Sequence, residues 1–136
     1  MIFNTGLKGR WQIMGRKPMV ICDTGHNDQA FQITLNRIQR EPHGRLYLIL
    51  GFVKDKDITK LSKYIPEGAI VYLCEFDLFR ALKAAQLEQL KFQNTNNISI
   101  FKNVNDAIAK ARAEAGADDI IFIGGSTYLV AEVNDL

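Results

Sequence analysis

Met19-Val20-Ile21-Cys22-Asp23-Thr24-Gly25-His26-Asn27 is the stretch whose reading decides the fold. Four apolar residues run straight into an acid, a Thr-Gly turn, a histidine and an asparagine, and a periodic segment begins at Asp28. Physically this is a buried strand that stops at a polar loop and hands over to a helix. The carboxyl end of a parallel strand, beside a helix N-terminus, is where open α/β sheets bind ligands. Asp23, His26 and Asn27 are therefore the first candidates for chemistry.

Working outward, Ala30, Phe31, Ile33, Thr34, Leu35 and Ile38 recur at helical spacing between Asp28 and Arg40, with Asn27 placed to cap the first turn. On the other side, Trp11–Met14 reads as a short strand or hairpin arm, with Gly15–Pro18 as the turn before Met19. Leu46–Phe52 is too uniformly apolar for a half-exposed strand, so helices must cover both its faces. It ends in a polar loop, Val53–Asp57, and a short helix follows with Ile58, Leu61, Tyr64 and Ile65 inward, stopped by Pro66-Glu67-Gly68. Ala69–Cys74 reads as the next strand. Arg80–Gln93, rich in Ala, Leu, Lys and Gln, is expected to be a helix. Ile98–Phe101 is a short strand, Val104–Ala115 a helix closed by Gly116, Asp119–Gly125 the last strand, and Tyr128–Val133 the start of a final helix. Strands alternating with helices in this way demand a mostly parallel sheet with helices on both faces: a three-layer, Rossmann-like α/β domain.

Composition agrees. A chain of 136 residues with 47% hydrophobic and 24% charged residues fits one soluble domain with a single core. A net charge of +2, with acids and bases mixed along the chain, argues for neither a nucleic-acid nor a membrane partner. The two cysteines, Cys22 and Cys74, sit in apolar strands at neither zinc nor redox spacing, and read as buried free thiols in a reducing, cytoplasmic setting. No apolar run approaches the ~20 residues of a membrane span, and no secretory signal pattern opens the chain. The segment 1–10, with Gly6 and Gly9, reads as a linker into a domain at 11–136, and the abrupt ends read as those of a domain cut from a longer chain.

Three strand ends carry polar loops, Asp23–Asn27, Lys54–Asp57 and Gly124–Thr127, and a doubly wound sheet would gather them at one edge. Exposed strand-end loops are often polar for solvation alone, but three together, one holding a histidine, favour a ligand site. Asp23, His26 and Ser126 do not form a hydrolase triad, since no Gly-x-Ser-x-Gly elbow presents a nucleophile. Neither a Gly-x-Gly-x-x-Gly fingerprint nor a Gly-Lys-Ser/Thr phosphate loop follows the first strand. With only His26 and His43, a metal site is not expected. A phospho-acceptor receiver lacks its usual acidic pair here. Lys54 and Lys56 could neutralise an anion or form a solvated face; Arg80 could clamp a carboxylate or be plain surface; Trp11 and Tyr128 read as packing residues.

Four motifs in register, Gly9-Arg10-Trp11-Gln12, Asp23-Thr-Gly-His26-Asn27, Gly51-Phe-Val-Lys-Asp55-Lys56-Asp57 and Gly124-Gly-Ser126, resemble the C-terminal domain of folylpolyglutamate synthase/dihydrofolate synthase, within the Mur ligase group. Gly25 departs from the family, which usually has Ala there, a change not expected to alter the chemistry. The resemblance implies an ATP- and Mg2+-dependent ligase that joins L-glutamate to a pteroate or folate carboxylate through an acyl phosphate. It also implies that the phosphate loop, the metal ligands and most of the folate pocket belong to an N-terminal ligase domain in cis, so that this chain alone would be inactive. On the same resemblance, Arg10 and Asp23 contact the nucleotide, and His26, Lys56 and Ser126 contact the incoming glutamate; no catalytic residue and no metal ligand is assigned here. Asn27 is read as structural, and Gly6 and Gly9 as a hinge whose closure keeps water from the acyl phosphate. The competing readings are another Mur-type amino-acid ligase, for a peptidoglycan precursor or cyanophycin, and a stand-alone α/β binding or receiver-type module.

Overall fold

The computed structural model describes residues 11–25, 28–54 and 58–134, with Thr59 described by its backbone only. Arg10, His26, Asn27 and Lys56, together with Gly6 and Gly9, lie outside the described residues. The strands are β1 (Gln12–Arg16), β2 (Met19–Cys22), β3 (Leu46–Leu50), β4 (Ile70–Cys74), β5 (Ile98–Phe101) and β6 (Ile120–Gly124). Between and after them run α1 (Asp28–Arg40), α2 (Ile58–Ser62), α3 (Ala84–Leu87), α4 (Val104–Glu114) and α5 (Thr127–Ala131). The sheet order is β1-β2-β6-β3-β4-β5, parallel throughout except for β1, which pairs antiparallel with β2. The expected α/β architecture is present, and none of the described helices is long and apolar enough to cross a membrane.

The period of two along each strand divides the core. Leu46, Leu48 and Leu50 of β3, with Ile120 and Phe122 of β6, face α1 and α2 and pack on Phe31, Leu35, Ile38 and Leu61. Tyr47 and Ile49, with Ile121 and Ile123, face the other way onto Val104, Ala107 and Ala111 of α4 and Leu129 and Val130 of α5. Because both faces are covered, β3 and β6 are buried at every position, which is why their sequences do not alternate. Each large side chain buried this way contributes roughly 1.5–3 kcal/mol. Cys22 and Cys74 are free and buried within the second cluster.

At the amino end of the sheet, Asp119 ties three segments together. Its Oδ1 accepts the Arg45 amide (2.7 Å), its Oδ2 accepts the Gly116 amide (2.8 Å), and the Arg45 guanidinium lies 3.3 Å away. These backbone amides, the one from Gly116 foremost, together with Arg45, hold its carboxyl below the ordinary value of 3.8 despite burial. Gly116 therefore serves this latch, and the C-cap of α4 is Ala115 in an extended conformation rather than the glycine expected there.

Two expectations change on the β4 side and at the hairpin. Arg80–Gln93 is not one helix: only Ala84–Leu87 is helical, and Arg80 sits in an exposed turn. Helix propensity loses to non-local pairing. The Lys54 amide donates to the Arg80 carbonyl (2.7 Å) and the Leu82 amide to the Phe52 carbonyl (2.9 Å), around an antiparallel bridge between Val53 and Ala81. Downstream, Asn94 Nδ2 donates to the Ile65 carbonyl (2.8 Å) and Thr95 Oγ1 to the Ala69 carbonyl (2.6 Å). The Lys54 bond claims the Arg80 carbonyl, which a continuous helix would need for the Ala84 amide, and the side-chain bonds of Asn94 and Thr95 anchor the segment's far end to the β4 side. In the hairpin, β1 extends through Arg16, with a bulge near Gly15, so the turn shortens to Lys17 and Pro18.

Candidate functional site at the carboxyl edge of the sheet

β6 lies between β2 and β3, yet the chain leaves it toward the opposite face: β2 and β3 lead into α1 and α2 on one side, and β6 into α5 on the other. Neighbouring parallel strands whose connections diverge leave a crevice at their carboxyl ends, the topological switch point where such sheets bind ligands. The described parts of the three loops singled out by sequence, at Asp23, Lys54 and Ser126, leave adjacent strands at this edge.

Backbone contacts stitch the crevice. The Asp23 amide donates to the Ile123 carbonyl (3.1 Å), and the Gly51 amide to the Gly124 carbonyl (3.3 Å). Thr127 Oγ1 reaches the Thr24 carbonyl at 3.5 Å. Gly125 has φ +95°, and a Cβ there would stand 2.8 Å from the Gly51 carbonyl oxygen and 3.1 Å from the Phe52 ring. Glycine alone lets β6 turn so close to β3.

Asp23 is 6% exposed. Its Oδ1 accepts the Gly25 amide (2.7 Å), the turn that Asp makes with the backbone two residues on, and its Oδ2 accepts the Trp11 amide (2.9 Å). Trp11 has φ +44°, a conformation that costs a non-glycine residue about 1–2 kcal/mol. Its ring packs on the α1 side of the core, with the Arg37 guanidinium 3.7 Å from its centroid. It is thus a packing residue, as expected, with a cation stacked on it. Sequence reasoning did not single out this contact, because Arg37 reads as an ordinary exposed charge in the last turn of α1. Gly25 is also more than a neutral exchange for Ala: a Cβ there would meet the Ala30 Cβ at 2.8 Å and Asp23 Oδ1 at 3.0 Å.

Ser126 is 4% exposed and caps α5, its Oγ accepting the Tyr128 amide (3.1 Å) while its own O–H remains a donor. Tyr128 itself is half exposed. Lys54 is exposed, with Nζ 5.4 Å from the ring of the solvent-exposed Phe79, so the Arg80 turn closes against the β3 loop. Directly beneath Asp23, burial first and the adjacent carboxylate second push the Cys22 thiol up to about 12, which keeps it neutral and inert. The described site therefore offers a buried carboxylate and a buried hydroxyl on neighbouring strand ends, hydrogen-bonding groups without a nucleophile.

A family model for the Mur ligase glutamate ligase domain matches residues 9–127. A probable bifunctional folylpolyglutamate synthase/dihydropteroate synthase of Halobacterium salinarum is 32% identical over 125 residues, covering 91% of this chain and 15% of that protein. The dihydrofolate synthase/folylpolyglutamate synthase of Escherichia coli is 30% identical over 131 residues, covering 96% and 30% respectively. Among solved structures, the bifunctional folylpolyglutamate synthase/dihydrofolate synthase of Yersinia pestis, complexed with AMPPNP and Mn, superposes with a TM-score of 0.77 at 28% identity, over 93% of this chain and 30% of that one. The chain spans less than a third of the length of each of these relatives. Since the match runs from the residue before Arg10 through the loop after β6, the chain belongs to the Mur ligase family, as its glutamate ligase domain.

Proposed function

We propose that this chain is the C-terminal domain of an ATP-dependent ligase that joins L-glutamate to the carboxylate of a dihydropteroate or folate. The observation that carries the proposal is the gathering of Asp23 and Ser126 on adjacent strand ends of a switch-point crevice, in a chain whose relatives carry that activity in their names. ATP would supply the phosphoryl group that activates the acceptor carboxylate. Asp23 suits the nucleotide, because a carboxylate accepts at both oxygens, about four lone-pair positions, and can hold backbone amides and a sugar hydroxyl together. Arg10 would fork onto phosphate oxygens, a role suited to a permanently charged, planar guanidinium. His26, Lys56 and Ser126 would receive the glutamate: a cation against a carboxylate, and a hydroxyl that caps α5 with its lone pair while donating its proton. The phosphate loop and the Mg2+ ligands would come from the N-terminal domain in cis, and the 136 residues alone would not turn over.

The test is incorporation of labelled glutamate by the full-length ligase, with dihydropteroate, tetrahydrofolate and a UDP-muramoyl peptide offered in parallel. ATP-dependent product on a pteridine acceptor is expected. Product only on the muramoyl acceptor would reassign the domain to a peptidoglycan ligase, and product on none would leave a binding module. Ser126→Gly separates cap from ligand, since glycine at an N-cap costs only a few tenths of a kcal/mol. It should raise KM for glutamate while leaving the melting temperature nearly unchanged.

A further inference from the structure

We propose that Asp23 is also a positioning residue: its carboxylate locks the chain that enters the domain and the loop that leaves β2 into one register. The proposal deepens the functional reading above and rests on it for its kinetic consequence. Two amides fourteen residues apart in the chain meet on one side chain, Trp11 N on Oδ2 (2.9 Å) and Gly25 N on Oδ1 (2.7 Å). In the sequence, Trp11 directly follows Arg10 and Gly25 directly precedes His26. In sequence, the two arms of the lock thus adjoin the residue assigned to phosphate and the residue assigned to glutamate.

The rest of the cluster is built to keep it closed. Trp11 is held at φ +44°, and such an outlier persists only where its surroundings over-determine it. Three contacts do so: the Asp23 acceptor, the Arg37 guanidinium 3.7 Å from the indole centroid, and the packing of the indole on the core. The Gly25 arm is equally tight, because an added Cβ would meet Ala30 at 2.8 Å and Asp23 Oδ1 at 3.0 Å. A side chain needed only as a ligand would not have to hold both arms. Arg37 grips only the Trp11 arm, so it separates the two halves of the lock.

The test compares Asp23→Asn and Arg37→Met in the full-length ligase. Asparagine keeps the size but has one acceptor oxygen for two amides, and methionine keeps the stem without the cation. Amide exchange without nucleotide should quicken by about fivefold or more in Asp23→Asn at whichever of Trp11 and Gly25 then faces the Nδ2 group, and at Trp11 in Arg37→Met. In steady-state kinetics, Asp23→Asn should raise KM for ATP and for glutamate together, and Arg37→Met should raise KM for ATP alone. Unchanged exchange in Asp23→Asn would overturn the lock. So would a rise confined to the ATP KM of Asp23→Asn with Arg37→Met silent, which would leave Asp23 as a nucleotide contact only. If the unmodified protein ligates no glutamate, the functional reading fails, while the exchange measurement still judges the lock.

Discussion

Replacing Gly125 by alanine tests the close approach of the β6 turn to the end of β3. The residue has φ +95°, where a side chain adds about 1–2 kcal/mol of strain. The new Cβ would also lie 2.8 Å from the Gly51 carbonyl oxygen and 3.1 Å from the Phe52 ring, and the first neighbour is backbone that cannot rotate away. Overpacking of this kind adds about 1–3 kcal/mol, for a sum of about 2–5 kcal/mol. Gly68 supplies the control within the same chain: φ is +77°, but nothing lies within 4 Å of its Cβ position, so alanine there incurs the strain alone. Urea unfolding followed by the fluorescence of the single tryptophan, Trp11, measures both variants against the parent. The midpoint should fall for each at constant slope, and by about twice as much or more for Gly125→Ala. In a domain of this size each kcal/mol lowers the melting temperature by about 3–5 °C. Equal losses at the two positions would refute the contact argument, because strain alone would then account for Gly125.

Other expectations follow from particular contacts. Tyr47 buries its hydroxyl without a hydrogen-bond partner, so Tyr47→Phe should be neutral or stabilise by about 1 kcal/mol, read by the same urea titration. Asp119 is held below its ordinary carboxyl value by the Gly116 and Arg45 amides and the Arg45 charge. A depressed folded-state value contributes stability above pH ~4 that is lost as pH falls through the folded-state value, so Asp119→Asn should flatten the acid limb of a stability-versus-pH curve. Burial pushes both the Cys22 and Cys74 thiols up to about 12, with Asp23 adding to the effect at Cys22. Neither should react with a thiol reagent at pH 8 until urea unfolds the chain, and fast native-state labelling of either would contradict the packing.

The alternation of apolar runs with helical periodicity was enough to establish the architecture, because burial on both faces writes itself into β3 and β6 as unbroken hydrophobic sequence. The Asp28–Arg40 helix was legible for the same local reason, and its observed bounds are those read from the sequence. So was the strand-to-loop junction at Asp23. What failed was the Arg80–Gln93 helix, whose residues favour helix individually but whose backbone is taken up by Phe52, Lys54 and a bridge to Val53. Propensity is a property of neighbours in sequence, and these partners are not neighbours.

The same distinction divides the site. Sequence alone determined that Asp23 and Ser126 stand at strand ends, since a polar residue after an apolar run has no other place in a parallel sheet. Only the tertiary structure decided that β6 inserts between β2 and β3, which makes those ends adjacent and turns their connections to opposite faces. It also decided what Asp23 and Asp119 do. Both are buried aspartates at strand termini, and each accepts two backbone amides, one of them far away in the chain. One closes the amino edge with Arg45, and the other gathers Trp11 and Gly25 at the carboxyl edge. Hydrogen-bond partners are chosen by where the chain returns in space, and that is information no local stretch contains.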